Sequence, residues 1–331
     1  MIEKLSFIMG KETYPYKNLA FEEYLTFHAG DKECILYLWQ NSHTVVIGRN
    51  QNAWKECKIR ELENDGGYLV RRLSGGGAVY HDLGNLNFTF AVKEDNYNVD
   101  MQLQVIIEAV GKLGIKAKKT GRNDITTIDG RKFSGNAFYK SGGFCYHHGT
   151  LLMDVNTEEM SKYLNVSKEK LQSKGVSSVK SRVINLKELC PTITRNVLCE
   201  KLIESFGEVY GLKPEKFNES RIEKGELEIL KEKFESWQWK YGRKLQFHHE
   251  MNARFDWGDI QLQFQVQGGI IKSLNVFSDA MDEELILRIP KMFMGCIYEE
   301  KALKDVLDEN FTGEFERVVA KDIGMLIHEN M

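Results

Sequence analysis

Apolar residues along this chain recur at two spacings, and the switches between them mark out the elements. Residues 18–28 carry Leu19, Tyr24, Leu25 and Phe27 among carboxylates, with Asn18 placed to cap a helix. CILYLW (34–39), HTVVIG (43–48) and YLVRR (68–72) are short apolar runs and predict strands. NLNFTFAV (85–92) sets Leu86, Phe88 and Phe90 against Asn87 and Thr89, the period-two pattern of a half-buried strand. Residues 101–113 return to the helical period. Residues 125–128 and 131–138 flank Asp129-Gly130, and an Asp-Gly pair supplies the positive φ angles of a tight hairpin turn. Residues 144–155 predict a further strand, and 194–210 and 226–234 predict helices. Between them, 172–185 is rich in Ser, Gly and Lys without apolar period, and predicts a mobile loop.

The pattern restarts beyond residues 240–245. Strands are predicted at 254–257, 260–267 and 270–277, the last two flanking Gly268-Gly269 as a hairpin; helices are predicted at 282–289, at 298–310 and from Gly313 onward. A length of 331 residues favours two domains. The division falls into a larger unit over 1–243 and a small α+β unit over 244–331.

Composition narrows the function classes. The net charge of −3 gives no global basic field for nucleic acid, and no basic-aromatic platform is evident. No run approaches the roughly 18 apolar residues of a membrane span, and the N-terminal apolar stretch is too short and interrupted for a signal peptide. Six cysteines are widely spaced without a C-x-x-C pair, which excludes a zinc ribbon and points to free thiols in a cytoplasmic protein. No long exposed apolar helix face stands out, so a monomer is expected.

The chemistry concentrates in a few stretches. In RRLSGGGAVYHD (71–82), two arginines precede three glycines. Glycines let backbone N–H groups approach an anion, and an arginine offers a planar fork to carboxylate or phosphate. The stretch lacks the Gly-Lys-Ser/Thr ending of a P-loop, and Tyr80 stands where a dinucleotide fingerprint needs its third glycine. Taken alone it reads equally well as a tight strand connection. Lys132 follows the predicted hairpin turn, where an edge-strand lysine is the simpler reading. Asn123-Asp124 offers oxygen ligands for Mg²⁺ beside phosphates, or an Asx turn. His147 and His148 are adjacent on a strand and face opposite ways, so they do not chelate one metal together. Trp237, Trp239 and Trp257 are expected in the core or between domains.

RRLSGGGAVYHD, GRNDI, GRKFSGNAF, HHGTLL and KGVSSVKSRV, with HTVVIGRNQNAWKEC upstream and ARFDWG downstream, stand in the same order and at similar spacing in the lipoate-protein ligase A family. The resemblance covers nearly the whole chain. It implies an α+β fold: a biotin/lipoate ligase-like mixed sheet with helices as the catalytic domain, plus a small α+β C-terminal accessory domain. It implies a two-step ligase that uses ATP and Mg²⁺ to convert (R)-lipoate to lipoyl-AMP. The acyl group then passes to a specific lysine of apo-lipoyl domains or of the glycine cleavage H protein. Carried over by position, Lys132 is the catalytic residue, contacting the lipoyl carbonyl and the α-phosphate as an electrostatic clamp. Arg72, Gly77, Ala78, Val79, Tyr80, Asn123 and Asp124 fall at the nucleotide, with Asp124 as the Mg²⁺ ligand. Arg72, Ser74, Gly75, Gly76, Ala137 and His148 fall at lipoate, with His81 nearby. Residues 174–182 resemble the family's adenylate loop.

Related acyltransferases work through a cysteine thioester, with the cysteine shortly before the equivalent of Lys132. Residues 116–131 contain no cysteine, and Cys145 on the other side reads as a packed small residue. Two further functions fit the same residues: an adenylating ligase for biotin or octanoate, and a non-catalytic carboxylate- or nucleotide-binding module.

Overall fold

The computed structural model describes residues 1–121, 123–165, 183–241, 249–267 and 269–331. Its first strands are β1 (Lys4–Met9), β2 (Glu33–Trp39), β3 (Thr44–Ile47), β4 (Tyr68–Arg71), β5 (Val79–His81) and β6 (Asn85–Lys93). Next come β7 (Ala117–Thr120), β8 (Asp124–Thr127), β9 (Lys132–Ser141), β10 (Phe144–Leu152) and β11 (Pro214–Lys216). Eight of these form one mixed sheet in the order β11-β1-β2-β6-β10-β9-β8-β7. β1 runs parallel to β2, because the helix Pro15–Phe27 carries the chain back between them, and it also pairs in parallel with β11. The remaining neighbours are antiparallel. A smaller sheet, β4-β3-β5, places the start of RRLSGGG beside HTVVIG.

The sheet is covered on both faces. Leu86, Phe88, Phe90 and Val92 pack with Val105, Ile106, Leu202 and Phe206 from helices Val99–Gly111 and Arg195–Tyr210. On the other face Ile35, Tyr37 and Ala91 meet Leu19, Ala20 and Leu25 of helix Pro15–Phe27, together with Val46 and Val70 of the smaller sheet. β6 is therefore buried on both sides, not half-buried as its alternation predicts. Its polar residues Asn87 and Thr89 face an interior that is itself polar. That interior is the candidate site.

The C-terminal elements have a core of their own. β12 (His249–Phe255), β13 (Gly258–Gln267) and β14 (Ile270–Ser278) form an antiparallel sheet, with β13 and β14 paired as the Gly-Gly signal predicts. Helices Glu283–Phe293, Glu300–Asn310 and Glu314–Asn330 pack on it through Ile286, Ile289, Phe293, Leu307 and Ile323. The first of these runs past Ile289, where its sequence predicts a stop before Pro290. Proline removes one hydrogen bond from a helix interior. The continuation buries Phe293 completely and offsets that loss. The C-terminal sheet touches the larger unit directly: the Ser278 N–H donates to the Asn50 carbonyl (2.7 Å) and the Gly76 N–H to the Ala280 carbonyl (3.2 Å). Most of the predicted mobile loop, and the junction at 242–248, lie outside the described residues.

Candidate active site

After β4 the chain folds around its own arginine. Arg72, 5% exposed, donates from Nε to Ser74 Oγ (3.0 Å) and the Gly75 carbonyl (3.1 Å), and from Nη2 to the carbonyls of Gly75 (2.6 Å) and Gly77 (2.9 Å). Its Nη1 reaches the Val46 carbonyl on β3 (3.3 Å). One guanidinium thus satisfies a set of loop carbonyls that would otherwise be buried unpaired. Burial pulls its pKa down to about 10, so it stays charged at neutral pH. Arg71 staples a different junction, donating to the carbonyls of Gly48 (3.1 Å), Gln51 (2.7 Å) and Lys240 (2.7 Å). The glycines serve close approach. A Cβ on Gly75 would lie 2.3 Å from the Ala280 carbonyl oxygen, and Gly76 has a φ of +87° that a side chain would strain.

This loop walls a cleft of about 290 Å³. A row of residues in register across the large sheet lines it. Trp39 on β2 faces Asn87 on β6, and Asn87 faces Thr150 on β10. The Gly135 N–H on β9 donates to Thr150 Oγ1 (3.2 Å), and Gly135 faces Asp124 on β8. Residues paired across strands share a face, and every member of this row lines the cleft. At about 4.8 Å per strand the row spans roughly 19 Å. Its two ends differ in chemistry. Leu19, Trp39 and Val46 make one end apolar, whereas Lys132 Nζ and Asp124 Oδ1 form a partly exposed ion pair at the other (2.7 Å).

Behind the apolar end runs a buried chain of hydrogen bonds. Ser74 Oγ lies 2.8 Å from His148 Nε2, and His148 Nδ1 lies 2.8 Å from Glu22 Oε1. Arg72 only donates and the Glu22 carboxylate only accepts, so the Ser74 hydroxyl accepts from Arg72, and His148 turns a protonated Nδ1 to Glu22. Glu22 also accepts from Thr89 Oγ1 (2.6 Å), which itself accepts from Trp39 Nε1 (3.0 Å). A buried arginine and a buried carboxylate are thereby linked through hydrogen-bonded groups, which is what their burial requires.

Arg72, Gly76, Gly77, Ala78, Val79, Tyr80, His81, Asn123, Asp124, Lys132, Ala137 and His148, all singled out from the sequence, line this one cleft. Ser74 and Gly75, expected at lipoate, do not line it. Ser74 is fully buried between Arg72 and His148, and Gly75 abuts Ala280. Asn123 is tied to β9, its Nδ2 donating to the Asn136 carbonyl (2.9 Å). The Tyr80 hydroxyl donates to Glu159 Oε2 (2.6 Å), and burial pushes its pKa far above the usual phenol range. His81 is held neutral, pulled down to about 3 by burial and then by the charges of Arg72 and His148. His147 faces away from the cleft, among Phe88, Phe90 and Phe138, with Nε2 2.8 Å from Asn136 Oδ1. Cys145 is fully buried in the main core, where burial raises its thiol to about 11; no cysteine is among the described residues lining the cleft. Residues 174–182 lie outside the described residues.

Two contributions are invisible in the sequence. Glu22 sits in a helix beside Glu23, and nothing in its spacing marks it as the buried end of a charge relay. Arg254 and Asp279, an ion pair at 3.4 Å, reach the cleft from the C-terminal sheet. Arg254 lies in ARFDWG, but its residue type alone does not announce a site so far along the chain. As for metal, no group of three or more His, Cys, Asp or Glu converges among the described residues. Of the carboxylates that line the cleft, Asp124 beside Lys132 fits Mg²⁺, which takes one or two carboxylates and completes its shell with phosphate oxygens and water.

Known proteins share this chain's sequence and fold. A family model described as the lipoyl protein ligase A/B catalytic domain matches residues 14–207, and one described as the bacterial lipoate protein ligase C-terminus matches 244–327. Lipoate-protein ligase A of Blochmanniella pennsylvanica is 40% identical over 307 residues, covering 90% of each chain. That of Blochmanniella floridana is 39% identical over 303 residues, covering 89% of each. The crystal structure of P. falciparum LipL1 in complex with lipoate matches with a TM-score of 0.84 at 30% identity, over 97% of this chain and 99% of that one. A lipoate-protein ligase A bound with ATP shares the fold, with a TM-score of 0.62 at 22% identity, over 72% of this chain and 98% of that one.

Proposed function

This chain belongs to the lipoate-protein ligase A family, and from that premise we propose that this one cleft carries out both steps of lipoate attachment with Lys132 as the catalytic cation. The activity is ATP-dependent ligation of lipoate to protein. The observation that carries the residue assignment is the row from Trp39 to Asp124, which joins an apolar end to a cation within one cleft.

A carboxylate does not acylate an amine in neutral water, because oxide would have to leave. In the first step a lipoate carboxylate oxygen attacks the α-phosphorus of ATP and pyrophosphate departs, giving lipoyl-AMP. Lys132 offsets the negative charge gathering between the two anions. In the second step the ε-amine of the acceptor lysine attacks the acyl carbonyl, AMP departs, and an amide forms. The same ammonium polarises the carbonyl. In the structure Lys132 is paired with Asp124, so anionic substrates take over a partner that the protein now supplies. Asp124 would hold Mg²⁺, whose charge supports the departing pyrophosphate. Gly77, Ala78, Val79, Tyr80 and Asn123 form the nucleotide wall, while Arg72 acts by holding the loop that presents Gly76 and Gly77. Ala137 and His148 border the acyl chain, with Ser74 behind them. Residues 1–243 act as the catalytic domain and 244–331 as the accessory domain, which contributes Arg254 and Asp279 to the cleft.

The acceptors proposed are apo-lipoyl domains and the glycine cleavage H protein, and the enzyme is proposed to work as a cytoplasmic monomer. Among the described residues no helix is long and apolar enough to cross a membrane. An acyltransferase working through a thioester would need a cysteine in the cleft, and the buried Cys145 does not supply one. The test is to incubate the full chain with ATP, Mg²⁺, lipoate and an apo-lipoyl domain, then weigh the acceptor by mass spectrometry. The mass gain of one lipoyl group that requires ATP is expected. No gain on either of two unrelated lipoyl domains would sink the reading.

A further inference from the structure

The proton on His81, at the apolar end of the cleft, is assigned by a chain of fixed hydrogen bonds. The Gln40 backbone carbonyl can only accept, so the Asn18 atom 2.8 Å away is its amide nitrogen. That nitrogen also lies 2.9 Å from Asn41, which must therefore present its amide oxygen. Asn41 then turns its own amide nitrogen to His81 Nδ1 (3.2 Å), and Asn87 brings a second amide nitrogen to 3.5 Å. With donors on Nδ1, the ring carries its proton on Nε2. Nε2 is buried and has no partner among the described residues. His81 is 3% exposed, borders the cleft, and its ring centre is 6.3 Å from that of Trp39.

Position says which end of a ligand meets this donor. Trp39, on β2, stands three strand spacings from β9, which carries Lys132, or roughly 14 Å across the sheet. An acid whose carboxylate lies at Lys132 therefore sends its tail toward Trp39 and His81. The tail of lipoate ends in a dithiolane, whose sulfurs are weak acceptors; a plain fatty acid of the same chain length offers only C–H there. A neutral N–H suits such a partner, because a charged ring would be costly beside Leu19, Trp39 and Val46. Burial, with Arg72 and His148 close by, keeps the ring neutral.

We propose that His81 is a specificity-determining residue, whose Nε2–H donates to the dithiolane of lipoate and ranks lipoate above octanoate. The proposal rests on reading the cleft as a lipoate site. It is tested on the full chain in two ways. With ¹⁵N-labelled histidine, NMR should show His81 protonated on Nε2, with that resonance moving on addition of lipoate and far less with octanoate. In pyrophosphate exchange, His81→Phe should lower the ratio of kcat/KM for lipoate to that for octanoate by about tenfold, the loss of one modest hydrogen bond. A proton found on Nδ1 would overturn the proposal, as would an unchanged ratio in a folded variant. Should the NMR be the only readout because the variant does not fold, an Nε2 resonance indifferent to lipoate overturns it. Exchange by the wild type with both acids alongside an unchanged ratio removes this proposal alone. Exchange with neither acid removes the lipoate reading as well.

Discussion

At the apolar end of the cleft Arg72, Ser74, His148 and Glu22 form one buried relay, each member fixed by the next, and Thr89 and Trp39 hang from its last carboxylate. At the charged end Lys132 and Asp124 are partly exposed and neutralise each other across 2.7 Å. The first end is shaped before any ligand arrives. The second holds charges that an anionic ligand redistributes. On the proposed reading, the contrast follows from what each end recognises. A neutral tail is selected by a rigid wall, whereas two anions that have to react need cations able to change partners.

The largest expected effect comes from removing the exchangeable cation. Lys132→Ala should slow single-turnover formation of lipoyl-AMP by about a hundredfold to a thousandfold, with the circular dichroism spectrum unchanged. Near-normal turnover would remove Lys132 from the chemistry. The rigid end should fail differently. Glu22→Ala strands the positive end of the relay and should cost roughly 3–5 kcal/mol in denaturant unfolding. A loss under about 1 kcal/mol would mean the relay does not hold that wall.

A third effect probes the contact between the C-terminal unit and the loop. Burial, then the neighbouring Glu284 and Asp282, raise Glu283 to about 8 against the opposing pull of Arg49 and Arg72. Its folded pKa lies above the unfolded value, so between about pH 4.5 and 8 the unfolded chain releases this proton while the folded chain keeps it. Its contribution to stability therefore falls as pH rises through that window. Glu283→Gln should remove the slope, leaving stability near wild type at pH 5 and higher by on the order of 2–4 kcal/mol at pH 8. Equal slopes in the two proteins would contradict the assignment. The smallest effect is reserved for Cys145→Ser, which should leave turnover within about twofold, since the thiol packs in the core away from both ends. Loss of activity in a folded Cys145→Ser protein would favour the thioester mechanism.

Much of this is legible in the residues. The strand runs, the hairpins at Asp129-Gly130 and at the Gly-Gly pair, and most cleft residues follow from apolar spacing and from the ordered motifs. The first turn is not the tight primed one expected, since Gly130 (φ +90°) takes a positive φ and Asp129 does not. What escapes does so for physical reasons. β1, β5 and β11 are short or flanked by polar residues, and register across the sheet gives them meaning only once their neighbours are in place. The alternation in β6 suggests a half-exposed strand because Asn87 and Thr89 are polar; sequence does not tell water from a polar interior. Ser74 and Gly75 are expected at the ligand because they adjoin residues that do line the cleft. A chain that turns this tightly puts neighbours on opposite sides of one wall, and Arg72 folds that wall before it can meet a substrate. Glu22 and Asp279 reach the site from distant elements, through contacts that no local pattern encodes.

The most direct test of adenylation in this cleft is exchange of labelled pyrophosphate into ATP by the wild-type chain without acceptor protein. Exchange that depends on lipoate and on Mg²⁺ is predicted, since adenylation is complete and reversible before any lysine is engaged. Lipoyl transfer to an acceptor without such exchange, or exchange indifferent to lipoate, would contradict it.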